Sequence, residues 1–262
     1  MCLLFFSYKT HPEYCLIFVG NRDEFYDRPT AALSFWKGET AILAGRDLRG
    51  NGTWLGITRT GRFAAITNYR DPEHDALYDK NSPSRGNLVS EFLLSKDFPE
   101  KYLEHIETIG YTYKGFSLIV GDKDNLCYFC NRSKGILRLN PGLYGLSNHL
   151  LNTPWPKVEK GLTAFKKVVK NQNKIKPEKF FTMLKDRSRP PDDKLPDTGV
   201  ELDWERMLSS IFISGDDYGT RSSSVILIKK NGCVTCIEQT YNLKKKSGIE
   251  KPAVSYSFSI ST

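Results

Sequence analysis

Residues 2–29 read CLLFFSYKTHPEYCLIFVGNRDEFYDRP, and this stretch decides the fold. Its two apolar runs, from Cys2 to Tyr8 and from Tyr14 to Gly20, flank a short turn that contains Pro12. Two such runs joined by a polar turn predict an antiparallel hairpin. Because the second run ends in Asn21-Arg22-Asp23-Glu24, the hairpin would return a set of charged and polar side chains to the neighbourhood of Cys2.

Cys2 follows Met1 directly, and aminopeptidases generally remove Met before a small residue. We therefore expect a mature chain in which Cys2 carries both a thiol and an α-amine. The reference pKa of that amine is about 7.7–8.0, so it can accept the thiol proton near neutral pH. Cys2 is thus a candidate nucleophile that needs no histidine. The alternative is an ordinary buried cysteine on a strand.

Two charged residues beside the predicted hairpin suit this chemistry. Arg22 would stabilise a thiolate or an anionic intermediate, and Asp23 would orient the α-ammonium of Cys2. The alternative is a solvated strand end with mutual salt bridges. Since adjacent residues on a strand point to opposite faces, one of the two should look away from Cys2 unless the chain bends there.

The rest of the chain alternates strand-like and helix-like segments. Strands are expected at 41–45, 53–58, 62–67, 116–120, 126–130 and 135–139, and later near 211–214, 223–228, 233–238 and 254–258. Helices are expected from Arg85, after Pro99, around Phe180 and from Thr153-Pro154, with Thr as N-cap and Pro at the first helical position. Residues 187–199 read as an exposed loop. This order predicts an α+β fold with mostly antiparallel pairing, in a single domain over residues 1–262.

The composition excludes several classes of protein. Of the 262 residues, 39% are hydrophobic and 26% charged, which is typical of a globular chain and not of a disordered one. No apolar run approaches the ~20 residues that span a bilayer, so we expect no integral membrane segment and a cytoplasmic location. The net charge is +8, and the basic residues of the chain concentrate at 166–176 and 244–246. Without a nucleic-acid motif, they favour solvated surfaces over nucleic-acid binding, although a basic rim would attract an anionic small molecule.

Four of the six cysteines form two CxxC pairs, Cys127 with Cys130 and Cys233 with Cys236. Both pairs lie in strand-like sequence, where residues three apart point to opposite faces, so one metal ion would not reach both thiols. We therefore expect buried, reduced cysteines and no metal site.

The chain resembles a known family at several blocks that span most of its length. These blocks are Met1-Cys2, residues 21–29, Thr53-Trp54-Leu55-Gly56, Thr67-Asn68-Tyr69, Ser147-Asn148, residues 153–157 and Tyr218-Gly219-Thr220-Arg221. They are similar to those of the NRDE family, also called the transport-and-Golgi-organisation family. That family in turn resembles N-terminal-nucleophile (Ntn) hydrolases of the choloylglycine hydrolase and penicillin V acylase type. The resemblance implies a four-layer αββα sandwich of two mostly antiparallel sheets, with a cysteine nucleophile at the mature N-terminus.

The resemblance also assigns roles to individual residues. Cys2 matches the nucleophile, and Arg22 and Asp23 match the Arg and Asp after the second strand, although the acylases order them as R-N-x-D. Arg221 matches a late arginine near the nucleophile. Asn68 and Asn148 match amide donors to the oxyanion, although each also suits a turn. Asn21, Glu24 and His149 complete the expected site as substrate contacts.

These expectations give two functions of different classes. The first is an Ntn hydrolase in which Cys2 attacks an amide or related acyl bond of a small molecule, with no required cofactor. The second is a non-catalytic carrier that uses the same pocket for haem or acyl-CoA, since relatives in the resembled family are associated with haem trafficking and with acyl-CoA or lipid metabolism. A haem carrier could use His149 as a ligand, although a histidine before a helix is more often hydrogen-bonded.

Overall fold

The structure, a computed structural model, describes residues 2–39, 41–78, 82–170, 175–241 and 252–261. Met1, Lys174 and the basic run at 244–246 lie outside these ranges. The chain divides into two compact units, each built around one sheet. The first unit comprises residues 1–27, 141–147 and 151–257, and the second comprises residues 28–140, 148–150 and 258–262.

The strands and helices are numbered in chain order. The strands are β1 Cys2–Tyr8, β2 Tyr14–Phe25, β3 Thr30–Phe35, β4 Ile42–Asp47, β5 Leu55–Thr58, β6 Phe63–Asn68, β7 Phe116–Gly121, β8 Leu126–Cys130, β9 Leu137–Arg138, β10 Gly142–Leu146, β11 Tyr218–Lys229, β12 Cys233–Thr240 and β13 Val254–Ser259. The helices are α1 Pro72–Asp75, α2 Arg85–Leu94, α3 Pro99–Ile109, α4 Pro156–Val169, α5 Pro177–Leu184 and α6 Leu202–Leu208.

The predicted hairpin lies at the centre of the six-stranded sheet, whose order is β10-β1-β2-β11-β12-β13. β1 and β2 pair antiparallel, with Cys2 opposite Arg22 and Tyr8 opposite Leu16. β2 also pairs antiparallel with β11, and β1 with β10. β1 is buried along its whole length, as expected for an interior strand with apolar side chains on both faces. The hairpin therefore holds the candidate nucleophile inside the sheet.

Helices α4 and α5 cover one face of this sheet. Phe165 of α4 stacks against Phe5 of β1 at a centroid distance of 6.3 Å, and Phe180 of α5 lies 5.6 Å from Phe165. Gly161 allows α4 to lie this close, because an added Cβ there would come within 2.0 Å of Phe5 Cζ. The helix-facing core of the first unit thus uses the alternate side chains of β1 that do not include Cys2.

The seven-stranded sheet of the second unit has the strand order of the sequence, from β3 to β9. Helices α2 and α3 pack on it through a second hydrophobic core. The predicted hairpin of residues 53–67 is β5 and β6, joined through Gly61 at φ +84°, a left-handed conformation that favours glycine. The expected α+β class with two antiparallel sheets and few helices is confirmed.

Two local predictions were wrong, and several short elements were not predicted. The long helix begins at Pro156, not at Thr153-Pro154, and Trp155 is its N-cap. Residues 211–214 form no strand beyond a bridge at Ser214; this apolar segment is buried but makes only scattered backbone bonds, such as Phe212 N to Asp186 O at 2.8 Å. Strands β3 and β10 and helices α1 and α6 were not predicted, because their short sequences carry weak periodicity.

Candidate functional site

Cys2 and Arg22 are cross-strand neighbours. They occupy directly opposed positions on β1 and β2, and opposed residues of an antiparallel pair point to the same face of the sheet. Cys2 is only 6% exposed and Arg22 only 5%. The row continues into β11, where Ser222 is opposite Arg22. The face of the sheet that carries Cys2 therefore holds a buried guanidinium one strand away from the thiol.

A β-bulge on β11 brings a second arginine into the row. The register between β2 and β11 shifts between Thr220 and Ser222, so that Arg221 is the extra residue. A bulge re-aims side chains locally and often occurs beside functional sites. Arg221 donates a hydrogen bond to Phe25 O at 2.7 Å. Burial lowers the pKa of Arg221, and the nearby charge of Arg22 lowers it further.

Glu24 offsets this positive charge. It lies two residues beyond Arg22 on β2, on the same face, and its carboxylate approaches the Arg22 guanidinium to 3.9 Å. Its side chain is 22% exposed, so it is the more accessible member of the pair. The structure thus brings Cys2, Arg22 and Glu24 together at this end of β1 and β2, with Arg221 on the neighbouring strand β11. That these residues form a reactive site stays a prediction.

Asp23 belongs to a different set of contacts. Its carboxylate accepts a hydrogen bond from Thr220 Oγ1 at 2.6 Å, and Thr220 Oγ1 in turn accepts one from Ile213 N at 2.9 Å. Burial raises the pKa of Asp23, while the hydroxyl of Thr220 and the charges of Lys157 and Arg22 oppose that rise. Asp23 is 2% exposed, so the contacts that hold it are fixed within the protein interior.

The side chain of Asn21 is hydrogen-bonded within the first unit at both its nitrogen and its oxygen. Its amide Nδ2 donates to Leu184 O at 2.9 Å and to Ile211 O at 2.8 Å, while its Oδ1 accepts from Ser223 Oγ at 2.5 Å. Asn21 alternates with Arg22 on β2 and lies on the helix-bearing face. Its role as a substrate contact stays a prediction, and its observed contacts tie the end of β2 to the segments around α5.

Burial also determines how readily the thiol of Cys2 loses its proton. Desolvation raises the pKa of Cys2, and the positive charge of Arg22 acts in the opposite direction while Asp23 and Glu24 reinforce the rise. A neutral thiol is a weak nucleophile, since the thiolate is the reactive form. Reaction at this sulfur would therefore require a base that takes its proton during attack.

The two candidate oxyanion donors meet in the second unit. Asn68 is the last residue of β6, and its backbone carbonyl accepts a hydrogen bond from Asn148 Nδ2 at 3.0 Å. The backbone of Asn148 is held by Arg70 N, which donates to Asn148 O at 2.8 Å. The Asn148 side chain, 1% exposed, is therefore locked in position. That either amide donates to an oxyanion stays a prediction.

His149 is bound into a polar network of the second unit. Its Nε2 and the Tyr69 hydroxyl share a hydrogen bond of 2.7 Å, and the two rings lie 4.8 Å apart. Its backbone oxygen accepts from Ser117 Oγ, which also contacts the Tyr128 hydroxyl at 3.0 Å. Burial lowers the pKa of His149. Axial ligation of haem through Nε2 would first require the loss of the Tyr69 contact.

Several partners of the predicted residues were not assigned from the sequence. They lie inside or beside the quoted blocks and are Thr220, Lys157, Tyr69 and Ser223. Lys157 is 5% exposed and donates from Nζ to Leu208 O at 2.8 Å. Thr220 and Tyr69 could have been found from the sequence, because each is the chain neighbour of a predicted site residue: Thr220 precedes Arg221, and Tyr69 follows Asn68. Lys157 is the last residue of the quoted block 153–157, and Ser223 lies two residues past the block that ends at Arg221. Neither contact could be predicted, because the partners are distant in sequence.

The CxxC cysteines lie on strands, as expected. Cys127 and Cys130 belong to β8, and Cys233 and Cys236 belong to β12. All six cysteines are free thiols. Cys127, Cys130 and Cys236 are buried, as expected, but the expectation of burial was wrong for Cys233, which is exposed near the start of β12 beside the turn that joins it to β11. In the described part of the chain, no group of three His, Cys, Asp or Glu side chains is arranged to hold a metal ion. Among the described helices, none has the length and apolarity that crossing a bilayer demands.

Two solved structures share this fold. An N-acylethanolamine-hydrolyzing acid amidase orthologue from Caenorhabditis elegans superposes with a TM-score of 0.51 at 9% identity, over 86% of this chain and 92% of that one. A C2A mutant of the conjugated bile acid hydrolase from Clostridium perfringens gives 0.51 at 11% identity, over 98% and 97%. Both are Ntn hydrolases, so the Ntn-hydrolase fold expected from the sequence resemblance is confirmed.

Sequence comparisons identify the family. Residues 1–243 match the family model described as Transport and Golgi organisation 2. The Transport and Golgi organization 2 homologue of Mus musculus is 35% identical over 260 residues, covering 92% of this chain and 93% of the mouse protein. Transport and Golgi organization protein 2 of Drosophila melanogaster is 27% identical, covering 92% of each chain. This chain is therefore a member of the Transport and Golgi organisation 2 family.

Proposed function

We propose that the protein is an Ntn hydrolase in which Cys2, freed at its amine, cleaves an amide or related acyl bond of a small molecule. The observation that carries this proposal is the pairing of Cys2 with Arg22 across β1 and β2, beside the bulge at Arg221. This arrangement occurs in a fold shared with an acid amidase and a bile acid hydrolase. The bile acid hydrolase structure carries a cysteine-to-alanine change at its own second residue.

The reaction would proceed in two steps. The α-amine of Cys2 accepts the thiol proton as Sγ attacks the carbonyl carbon, and the resulting ammonium gives that proton to the leaving amine as the C–N bond breaks. The product is a thioester on Cys2. Water then attacks the thioester, gives its proton to the amine, and releases the acid and the free thiol. The α-amine supplies the base that the buried, high-pKa thiol needs.

Arg22 and Asp23 would divide the electrostatic work. Arg22 lies on the same face as the thiol, so its guanidinium favours the thiolate that forms during attack. The α-amine is a backbone group in the plane of the sheet, so a carboxylate from either face can approach it. Asp23, held by Thr220, would orient the ammonium and stabilise its charge. This division accommodates both residues although they are adjacent on one strand.

The roles of Asn68 and Asn148 are part of the same proposal. A side-chain amide about 2.7–3.1 Å from the developing oxyanion stabilises the transition state, and losing such a donor costs about 10²–10³ in rate. We expect Asn148→Ala to lower kcat by about that factor with a smaller effect on KM, measured on the best substrate of the panel below.

The first experiment joins intact mass to turnover. Intact mass spectrometry determines whether purified protein begins at Cys2, and a panel of N-acyl amides is screened for release of acid and amine by liquid chromatography. We expect cleavage of Met1, turnover of at least one panel member, and a thioester adduct on Cys2 in quenched reactions. Cys2→Ala should abolish turnover. The matched control is Cys233→Ala, which removes an exposed thiol elsewhere in the first unit.

Two outcomes would contradict the mechanism. One is turnover by protein that retains Met1, because the α-amine would then be unavailable on Cys2. The other is turnover that survives Cys2→Ala. A carrier function for haem or acyl-CoA predicts a different pattern: saturable binding in calorimetry and spectral titration, unchanged by Cys2→Ala, with no cleavage of any panel member.

A further inference from the structure

A pocket of about 340 Å³ lies at the far end of β2 and the start of β11, beneath α6. Its walls are Phe25, Tyr218, Trp204 and Met207, together with three aspartates. Tyr218 is opposite Phe25 in the strand register, while Trp204 and Met207 come from α6. The pocket takes no part in the proposed reaction at Cys2.

Three aromatic rings surround this pocket at steep mutual angles. Phe25 and Tyr218 meet edge to face at 77° with centroids 5.1 Å apart, and Trp204 lies 5.9 Å from Tyr218 at 59°. Tyr218 is buried, but Phe25 is 47% exposed and Trp204 39% exposed. Two large aromatic side chains left open beside a buried third ring form an apolar patch, which indicates a site for a ligand or partner.

The charge of the pocket is negative, although the chain as a whole carries +8. Asp203, Asp216 and Asp217 line it. Asp203 is paired with Arg206 at 2.8 Å, whereas Asp216 and Asp217 have no ion-pair partner among the residues that the structure describes. Of the nearby cations, Arg206 is also held by Asp192, and Arg221 is hydrogen-bonded to the Phe25 carbonyl. Two carboxylates are therefore left to face a cationic ligand.

We propose that this pocket binds an organic cation, with a quaternary or methylated ammonium group seated against the exposed rings of Phe25 and Trp204, which both pack on the buried ring of Tyr218. Such a group is attracted to the faces of aromatic rings, and several rings with a carboxylate nearby are the usual way in which proteins recognise it. The methyl groups also bury apolar surface against Met207 and the rings. Asp216 and Asp217 supply the complementary charge. A metal cation or a primary amine, being more strongly hydrated, would gain less from the rings.

The experiment uses tetramethylammonium and choline as probes, with 3,3-dimethyl-1-butanol as the uncharged analogue of choline. Binding to the full chain is measured by isothermal titration calorimetry and by tryptophan fluorescence at constant ionic strength. We expect saturable binding of both cations and at least about 10-fold weaker binding of the alcohol, because it lacks the charge. We also expect Trp204→Leu and the double variant Asp216→Asn/Asp217→Asn each to weaken binding about 3- to 10-fold.

Matched controls remove similar side chains elsewhere. Tyr111→Leu deletes an exposed ring of the second unit, and Asp193→Asn deletes a carboxylate outside the pocket; neither should change the affinity. Cys2→Ala should bind the cations as well as the parent chain, which separates this proposal from the hydrolase. Far-UV circular dichroism checks that each variant folds, and the surface double variant provides the test if Trp204→Leu does not. Absence of saturable binding, or equal affinity for the uncharged analogue, would overturn the proposal.

Discussion

Replacing Asn21 by Ala should destabilise the protein strongly. The amide of Asn21 makes three buried hydrogen bonds, to Leu184 O, to Ile211 O and from Ser223 Oγ. Each net hydrogen bond contributes about 1 kcal/mol, and each partner left unsatisfied in the interior costs about 1–3 kcal/mol. With three partners affected, we expect a loss of about 3–5 kcal/mol. That is a large part of the ~5–15 kcal/mol by which a domain is stable.

Urea unfolding followed by circular dichroism measures this loss as a shift of the midpoint. Ser223→Ala is the graded control. It leaves the two bonds from Asn21 Nδ2 in place, but it removes the bond to Asn21 Oδ1 and the one that Ser223 Oγ accepts from the Tyr241 hydroxyl at 3.0 Å; we expect a loss of about 1–3 kcal/mol. The reasoning fails if Asn21→Ala lowers the free energy of unfolding by less than about 1 kcal/mol. Such a small loss, accompanied by weaker ligand binding or turnover, would instead favour the sequence-based assignment of Asn21 as a substrate contact.

Three further predictions concern pH, packing and thiol chemistry. Burial lowers the pKa of both His11 and His149. Just below their ordinary pKa of about 6.5 the unfolded chain therefore binds more protons than the folded one, and the free energy of unfolding should fall as the pH drops through that window. The double variant His11→Gln/His149→Gln should flatten this slope in urea titrations at several pH values. Gly161→Ala should cost about 1–3 kcal/mol in the same assay, since its Cβ would clash with Phe5, and Phe5→Leu added to it should recover part of the loss. Iodoacetamide should modify the exposed Cys233 before the buried Cys127, Cys130 and Cys236, as followed by peptide mass spectrometry. Earlier labelling of one of the buried thiols would refute the burial pattern.

The hairpin was predictable because its information is local. Two apolar runs and one turn fix the pairing of β1 with β2, and the pairing places Cys2 opposite Arg22. The start of α4 was less predictable, because Pro154 and Pro156 both suit the first helical position. The local backbone decides between them: Asn152 adopts φ +59°, and Trp155 N donates to Thr153 O. The chain is still turning at Pro154 and becomes helical only after Trp155.

Contacts between distant segments explain what the sequence could not reveal. Thr220 is 197 residues from Asp23, and no periodicity within either segment indicates that they meet. The bulge at Arg221 likewise depends on the register between β2 and β11, which is a property of two strands and not of one. The family resemblance supplied Arg221 as a candidate, but only the structure shows that it is the extra residue of the bulge.

The alternation of side chains on β2 raised a conflict that the structure resolves in part. A strand cannot point both Arg22 and Asp23 at the thiol of Cys2, and β2 continues as a strand through both residues. Arg22 takes the face of the thiol, while Asp23 is held by Thr220. The proposed chemistry uses two atoms of Cys2 that lie in different positions. The sulfur lies on one face of the sheet, whereas the α-amine lies in the plane of the sheet. Adjacent residues of opposite charge are therefore what a nucleophile with its own backbone base would require.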